Sequence, residues 1–311
     1  MTGRGEKIAP CLNPNSCNVP PSADADLPDT PPPPNMSLTL GAAWRQTCQR
    51  IDRLDARLLI ETLCACTHAE LIAHPERELS DAQASQLEAL TARREAGEPL
   101  AYLLGSSWFY GLEFAVSPDV LIPRPETALL VDLAAERAQG IAAPEMVDLG
   151  TGSGIVAVLL ARKCPEATVT AVDISPAALA VAKANAERHG ARIDFRAGHW
   201  YAPLGEQHFH LIVANPPYVA EGDPHLQQNG LPYEPQTALS DGVAGGDGMA
   251  CLQEIITGAN AHLHPGGWLL LEHGYDQAQK VRRLLDAMGF TGVTSWRDEA
   301  NIERVSGGML C

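Results

Sequence analysis

Basic residues are scarce in this chain of 311 residues, which has 22 Lys and Arg against 38 Asp and Glu and a formal net charge of −16. Affinity for a nucleic-acid backbone depends on Lys and Arg that neutralise phosphates, so the acidic surface disfavours duplex DNA as a partner. The sequence also lacks an apolar run long enough to span a membrane. We therefore expect no direct nucleic-acid binding and no membrane partner.

Cysteine patterns typical of metal sites are missing as well. The eight cysteines include no Cys-x-x-Cys pair and no neighbouring histidine pattern of the zinc-binding kind. The expectations that follow are reduced thiols, a cytoplasmic location and no metal site.

The first 36 residues show no hydrophobic periodicity. They are rich in Pro, Asn, Ser and Asp and end in four consecutive prolines, Pro31 to Pro34. Such a composition offers too little apolar surface to order the chain. Neither the apolar core of a signal peptide nor the Arg-rich pattern of a transit peptide is present. We expect a disordered Pro-rich leader over residues 1–36.

Helical spacing of apolar residues begins after this leader. Four or five short helices are predicted up to residue 105, with start signals at Thr67 followed by Glu70 and at Ser80 followed by Asp81. The stretch 108–116, centred on Gly111, predicts a β-hairpin. We therefore expect an N-terminal helical domain over residues 37–105 and a linking β-hairpin over residues 106–120.

Strands and helices alternate in the last part of the chain, residues 121–311. Seven strands are predicted, at residues 146–149, 168–172, 193–196, 209–214, 268–272, 293–297 and 303–305. The helices predicted between them cover residues 155–163, 176–189, 250–263 and 276–288. This order predicts an α/β fold, a seven-stranded doubly wound Rossmann-like sheet with an antiparallel pair at one edge.

A glycine-rich loop follows the first predicted strand of this sheet. Its residues are Gly150, Thr151, Gly152, Ser153 and Gly154. Glycines let a backbone approach a ligand, and the following helix offers free N–H groups, so the loop fits a nucleotide cradle. Its GxGxG spacing differs from the dinucleotide fingerprint, which disfavours an oxidoreductase. Ordinary turn chemistry is the alternative.

Two further candidate ligand-binding residues lie at or just after the ends of the second and third predicted strands. Asp173 ends the second strand, where a carboxylate can accept both hydroxyls of a ribose. Trp200 follows the third strand and can stack on an adenine ring. The alternatives are a helix cap for Asp173, with Ser175 the better cap, and a core position for Trp200.

A rigid loop, Asn215-Pro216-Pro217-Tyr218, ends the fourth strand. The Asn215 side-chain oxygen and the Pro216 carbonyl can accept hydrogen bonds from one amino group, while Tyr218 offers a flat face. The four residues therefore predict a catalytic platform for a planar NH₂ group. The alternative is a strand followed by an Asn-Pro turn.

With the cradle, the strand-end carboxylate and the platform in this order, the chain resembles class I S-adenosylmethionine-dependent methyltransferases. More closely, it resembles the HemK/PrmC family of peptide chain release factor glutamine N5-methyltransferases. The resemblance covers about residues 40–308 and includes the runs Ile122–Thr127 and Leu271–Gly274.

This resemblance implies an enzyme that methylates the glutamine of the Gly-Gly-Gln motif in class-1 release factors, with the helical domain binding the release factor. It implies cofactor contacts from Gly150–Gly154, Asp173, Trp200 and Asn215. It also implies that Asn215–Tyr218 hold the substrate glutamine. One residue departs from the pattern, because His199 stands where family members usually have Asp before the tryptophan.

Two alternatives remain. An adenine or cytosine amino-methyltransferase acting on nucleic acid would use the same platform, although acidity and the lack of a basic target-recognition domain argue against it. The second alternative is a non-catalytic member of the fold that binds a partner. The intact cradle and platform argue against this alternative.

Overall fold

Residues 37–311 are described by a computed structural model of the protein. The predicted leader, residues 1–36, lies outside these described residues. Residues 38–311 form one unit. Within residues 37–311, no helix is long and apolar enough to cross a membrane.

Five helices form the first part of the described chain: α1 (Leu40–Thr47), α2 (Arg53–Cys64), α3 (His68–Ala73), α4 (Asp81–Glu95) and α5 (Leu100–Leu104). Their apolar faces bury residues such as Leu59 and Ile60 in a common core. Thr67 and Ser80 cap α3 and α4, each in a reciprocal capping box. The predicted helix number and both predicted start signals are confirmed.

A two-stranded hairpin follows, formed by β1 (Ser106–Phe109) and β2 (Leu112–Ala115). Tyr110 and Gly111 make the turn with φ values of 54° and 74°. Positive φ at both central residues matches the right-handed twist of the two strands. The predicted hairpin is confirmed.

A seven-stranded sheet forms the centre of the remaining chain. Its strands are β3 (Glu145–Leu149), β4 (Thr168–Asp173), β5 (Ile193–Ala197), β6 (Phe209–Ala214), β7 (Leu263–Glu272), β8 (Phe290–Arg297) and β9 (Glu303–Leu310). The spatial order is β5-β4-β3-β6-β7-β9-β8. The first five strands in this order are parallel, and β9 is antiparallel to both β7 and β8. The α/β fold and its antiparallel edge agree with the prediction.

Helices cover both faces of this sheet: α6 (Thr127–Arg137), α7 (Ile155–Lys163) and α8 (Pro176–Arg188) on one, α10 (Ala250–Ala259) and α11 (Ala278–Ala287) on the other. A short helix, α9 (Gln236–Leu239), lies in the long segment between β6 and α10. Adjacent strand residues point to opposite cores, as Met146 and Val147 do. Both faces are therefore buried, which explains the apolar strands.

Several boundaries in the last part of the chain were wrongly predicted. The strand β8 begins at Phe290 rather than at residue 293, and β9 ends at Leu310 rather than at residue 305. The helix expected to reach residue 263 ends at Ala259, and β7 begins at Leu263 rather than at residue 268. Leu263 pairs with Phe209, and the register shifts before Trp268 pairs with Leu211. A bulge absorbs the Pro-Gly-Gly stretch because Gly266 adopts φ of +79°. These residues resemble a turn, yet they continue the strand.

Candidate functional site

A cavity of about 460 Å³ lies at the carboxyl ends of the parallel strands. It occupies the point where the strand order reverses, with β3 between β4 and β6, which is where open α/β sheets bind ligands. Among the predicted site residues, its wall contains Gly150, Thr151, Gly152, Ser153, Asp173, Trp200, Asn215 and Pro217. Within the described chain, Gly154, Pro216 and Tyr218 lie outside this wall.

The glycine loop makes close approaches that larger residues would prevent. A Cβ added at Gly150 would lie 3.1 Å from the Trp200 ring, and one at Gly154 would lie 2.9 Å from the Ala182 Cβ. Both glycines also have positive φ, +75° and +81°. The loop therefore brings bare backbone to the cavity just before α7 begins.

Asp173 holds this loop from the end of β4. Its Oδ2 accepts the Gly152 N–H at 2.8 Å and its Oδ1 accepts the Ser175 N–H at 2.8 Å. Burial raises the pKa of Asp173, and these backbone hydrogen bonds oppose the rise. Ser175, as expected, caps α8 by accepting the Ala178 N–H. Each Asp173 oxygen keeps a lone pair for a further donor.

Asp148 is a cavity residue that sequence reasoning missed. It is buried in β3, and its Oδ2 accepts a hydrogen bond from the Thr151 hydroxyl at 2.6 Å. Burial raises the pKa of Asp148 to about 7. A carboxylate within the apolar strand Met146–Leu149 was the available signal, since a charged residue is rarely buried without a partner.

Trp200 combines the two roles considered for it. It is buried at φ 42°, packs in the core beside Leu149, and also lines the cavity. The preceding residue, His199, lines the cavity with its Nδ1 at 3.3 Å from Glu254 Oε1. When this imidazole is neutral, a proton on Nδ1 faces the carboxylate and Nε2 is left as the acceptor.

The Asn215 side chain has a fixed orientation. Its Nδ2 donates a hydrogen bond to Thr127 Oγ1 at 3.2 Å, and Thr127 is buried at the start of α6. Asn215 Oδ1 is therefore the atom left to accept a hydrogen bond at the cavity. From the sequence, Thr127 was noted only as the last residue of the run Ile122–Thr127, and its contact with Asn215 was not predicted.

Tyr218 turns away from the cavity toward a buried carboxyl. Its hydroxyl donates to Glu272 Oε1 at 3.3 Å, and its carbonyl accepts from Gln277 Nε2 at 2.9 Å. Burial raises the pKa of Glu272 to about 7, while the side chains of Thr127 and Tyr218 oppose this rise. Thr127 therefore contacts the first residue of the platform, and Glu272 contacts the last.

An ion pair between the buried Glu234 carboxylate and the partly exposed Arg124 holds the proline loop over the cavity. Glu234 Oε1 accepts from Arg124 Nη2 at 2.5 Å and its Oε2 accepts the Ile122 N–H at 3.1 Å. The Glu234 side chain is only 1% exposed, whereas that of Arg124 is 31% exposed. The pair ties the loop before α6 to the segment after the platform, and both of these segments line the cavity.

Comparison with known proteins gives two family matches. Residues 125–229 match the family described as Methyltransferase small domain, and residues 45–105 match PrmC N-terminal domain. The second match lies within the helical region that precedes the hairpin.

Curated relatives cover most of the chain. A release factor glutamine methyltransferase of Bordetella pertussis is 51% identical over 261 residues, which are 84% of this chain and 96% of that protein. One of Vibrio cholerae is 41% identical over 88% of this chain and 98% of its own. The hMettl16 catalytic domain has a similar structure, with a TM-score of 0.50, 18% identity and coverage of 74% of this chain and 82% of its own. At that identity, the structural similarity concerns the fold alone.

Proposed function

The chain belongs to the family of release factor glutamine methyltransferases, and from this premise we propose that it methylates the glutamine side chain in the Gly-Gly-Gln motif of class-1 release factors. Its cofactor is S-adenosylmethionine, in keeping with the methyltransferase domain. The observation that carries the proposal is the fixed Asn215 amide, whose acceptor oxygen is left for the cavity.

Residues of this chain fit the cofactor, which supplies a methyl group on a positively charged sulfur. The Gly150–Gly154 loop and Asp173 would hold its polar groups, because the loop exposes backbone and the carboxylate keeps free lone pairs. Trp200 and His199 would contact the adenine, with His199 Nε2 accepting from the amino group in place of a carboxylate.

The platform would act by positioning. A side-chain amide nitrogen is a poor nucleophile, because its lone pair is delocalised into the carbonyl. Asn215 Oδ1 and the Pro216 carbonyl would each accept one of its N–H groups and so fix the nitrogen. Their negative dipoles would also face the positive charge that the nitrogen develops. The methylated nitrogen would lose its extra proton afterwards, so no strong base is needed.

The N-terminal helical region is the proposed binding site for a macromolecular substrate. We propose that residues 37–105 form a domain that binds the release factor, as the match to the PrmC N-terminal domain supports. Tyr233 connects this region to the loops over the cavity, because its hydroxyl donates to the Ala96 carbonyl at 2.9 Å. A substrate bound by the helices would thus lie near the platform. A cytoplasmic location is proposed on the same grounds, since translation occurs there.

The test is mass spectrometry of a class-1 release factor incubated with the full chain and S-adenosylmethionine. We expect one added methyl group, located by fragmentation on the glutamine of the Gly-Gly-Gln motif. A release factor with that glutamine replaced by alanine is the control and should remain unmodified. Methyl transfer to DNA or RNA, with an unmodified release factor, would contradict the proposal.

A further inference from the structure

Three side chains of the metal-binding kind meet at the edge of the sheet opposite the cavity. Glu145 begins β3, and His210 and His264 are the second residues of β6 and β7. These strands are neighbours in the order β3-β6-β7. The reaction proposed above uses none of the three.

The three side chains are close enough to share one ion. Glu145 Oε2 lies 2.9 Å from His264 Nε2 and 3.8 Å from His210 Nδ1. One ligand atom from each residue lies within 4.8 Å of the other two. Zinc bonds of about 2.0–2.2 Å in a tetrahedral site place ligand atoms roughly 3.3–3.5 Å apart. Small side-chain rotations would therefore complete the geometry.

Both histidine nitrogens that face Glu145 have a partner that an ion would replace. The lone pair of His210 Nδ1 accepts the Glu145 N–H at 3.1 Å, and an ion would take the place of this hydrogen bond. His264 Nε2 lies 2.9 Å from Glu145 Oε2, and because a carboxylate only accepts, metal binding would release the proton between these two atoms. The side chains of His210 and His264 are 30% and 37% exposed, which gives an ion and completing waters a path in.

A fourth histidine stands beside this group. The His208 ring lies 5.8 Å from the His264 ring, and its Nδ1 lies 2.9 Å from the Glu206 carbonyl. A carbonyl only accepts, so Nδ1 holds the proton and Nε2 is free. Ligating histidines usually make this same contact with a backbone carbonyl.

We propose that Glu145, His210 and His264 bind a divalent transition metal such as Zn²⁺, with His208 or water as the fourth ligand. Imidazole nitrogens favour zinc, cobalt, nickel and copper over magnesium and calcium, which prefer oxygen donors. The site is separate from the cavity, because the regular strand β6 extends about 16 Å from His210 to Asn215, which lines the cavity.

The ion would cross-link the first residues of strands β3, β6 and β7. Glu145 and His264 are 119 residues apart in sequence, so the site exists only in the folded chain. Binding to the folded state alone raises stability by mass action. This proposal departs from the expectation of no metal, which rested on the cysteine pattern.

The test is titration of the full chain with Co²⁺ and Zn²⁺ after removal of metals by a chelator. We expect one equivalent to bind, a Co²⁺ spectrum without the thiolate charge-transfer band, and a melting temperature that rises with Zn²⁺. His264→Ala and the milder Glu145→Gln should each weaken binding by about tenfold or more, since one of three ligands is lost.

His225→Ala is the matched control, because His225 is exposed and bonded to Asp223 away from this edge. It should bind Co²⁺ as the unmodified chain does. Retained cofactor binding would show that each variant is folded. An absence of stoichiometric binding would overturn the proposal. So would equal affinity in folded His264→Ala and Glu145→Gln variants, or a thiolate band showing that cysteines hold the ion.

Discussion

The amide nitrogen of Asn215 donates a hydrogen bond to the Thr127 hydroxyl at 3.2 Å, although the two residues are 88 positions apart. This contact decides which end of the Asn215 amide is left for a substrate. An amide that turned over would present a donor to another amino group, and two donors repel. We therefore propose that Thr127 positions the Asn215 amide.

Replacing Thr127 with valine should slow methylation while leaving cofactor affinity nearly unchanged. Valine keeps the shape of this buried side chain but removes the acceptor. A net hydrogen bond is worth about 0.5–1.5 kcal/mol, so turnover should fall roughly 2- to 13-fold. Single-turnover methylation of a release factor, followed by mass spectrometry, measures this.

Two companion variants sharpen that test. Thr127→Ser keeps the hydroxyl and should restore most of the rate. Asn215→Ala removes the acceptor itself and should cost on the order of 10² to 10³ in turnover while the fold and much of the cofactor affinity remain. A Thr127→Val enzyme with the unmodified rate would show that Thr127 does not position the amide.

Replacing Asp173 with alanine should weaken binding of S-adenosylmethionine. Hydrogen bonds to a charged acceptor are worth about 1.5–3 kcal/mol, or roughly 10- to 150-fold in affinity. Loss of the Gly152 contact loosens the glycine loop as well. Isothermal titration calorimetry gives the dissociation constant.

Asp194→Ala is the matched control for this charge removal. Asp194 lies on the neighbouring strand β5 in an exposed pair with Arg196, outside the cavity wall. Its dissociation constant should equal that of the unmodified chain. An Asp173→Ala protein with equally unchanged affinity would remove Asp173 from the cofactor site.

Local patterns made much of the fold predictable. The helix Ile155–Lys163 and the strand Phe209–Ala214 have the predicted bounds, because apolar spacing and flanking glycines or prolines act within a few residues. The glycine loop and Asn215 line the cavity for a similar reason. Each follows a parallel strand, and such strands bring their carboxyl ends to one edge.

Long-range pairing was not predictable from a single sequence. The partner of Asn215 lies 88 residues away, and that of Arg124 lies 110 residues away. Nothing in the spacing of Glu145 and His264 indicates that β3 and β7 start side by side. These contacts depend on strand order, which one sequence does not reveal. Sequence reasoning thus placed most of the glycine loop and Asn215 at the cavity, and missed Asp148 in the cavity wall and the long-range contacts of Asn215 and Arg124.

Replacing Arg124 with alanine should destabilise the protein more than replacing its partner Glu234 with glutamine. Alanine leaves the Glu234 carboxylate buried without its counter-charge, and breaking a buried pair in this way costs about 3–5 kcal/mol. Glutamine at 234 leaves only the partly exposed Arg124 and keeps an acceptor for the Ile122 N–H. Urea unfolding measures both free energies. Equal losses in the two variants would contradict this asymmetry.

Glu272 should make the protein less stable as pH rises from about 4.5 to 7. Burial raises its pKa from 4.5 to about 7, so in this window the folded carboxyl keeps a proton that the unfolded chain releases. The folded state then binds more protons, and the free energy of unfolding falls with pH by up to about 3 kcal/mol. Asp148, with a pKa also raised to about 7, acts in the same direction.

Glu272→Gln isolates this contribution, because glutamine cannot titrate while its oxygen still accepts from the Tyr218 hydroxyl. Urea unfolding of both proteins at pH 5, 6, 7 and 8 should show the variant gaining stability relative to the unmodified chain as pH rises. The difference should level off above pH 7, where the folded carboxyl has ionised. Titration of His273 does not affect this comparison. Burial lowers the pKa of His273, which makes the free energy of unfolding rise with pH, but this contribution is the same in both proteins and cancels in their difference. Parallel stability curves would mean that Glu272 titrates alike in the folded and unfolded chains, and that its burial does not hold a proton under the platform.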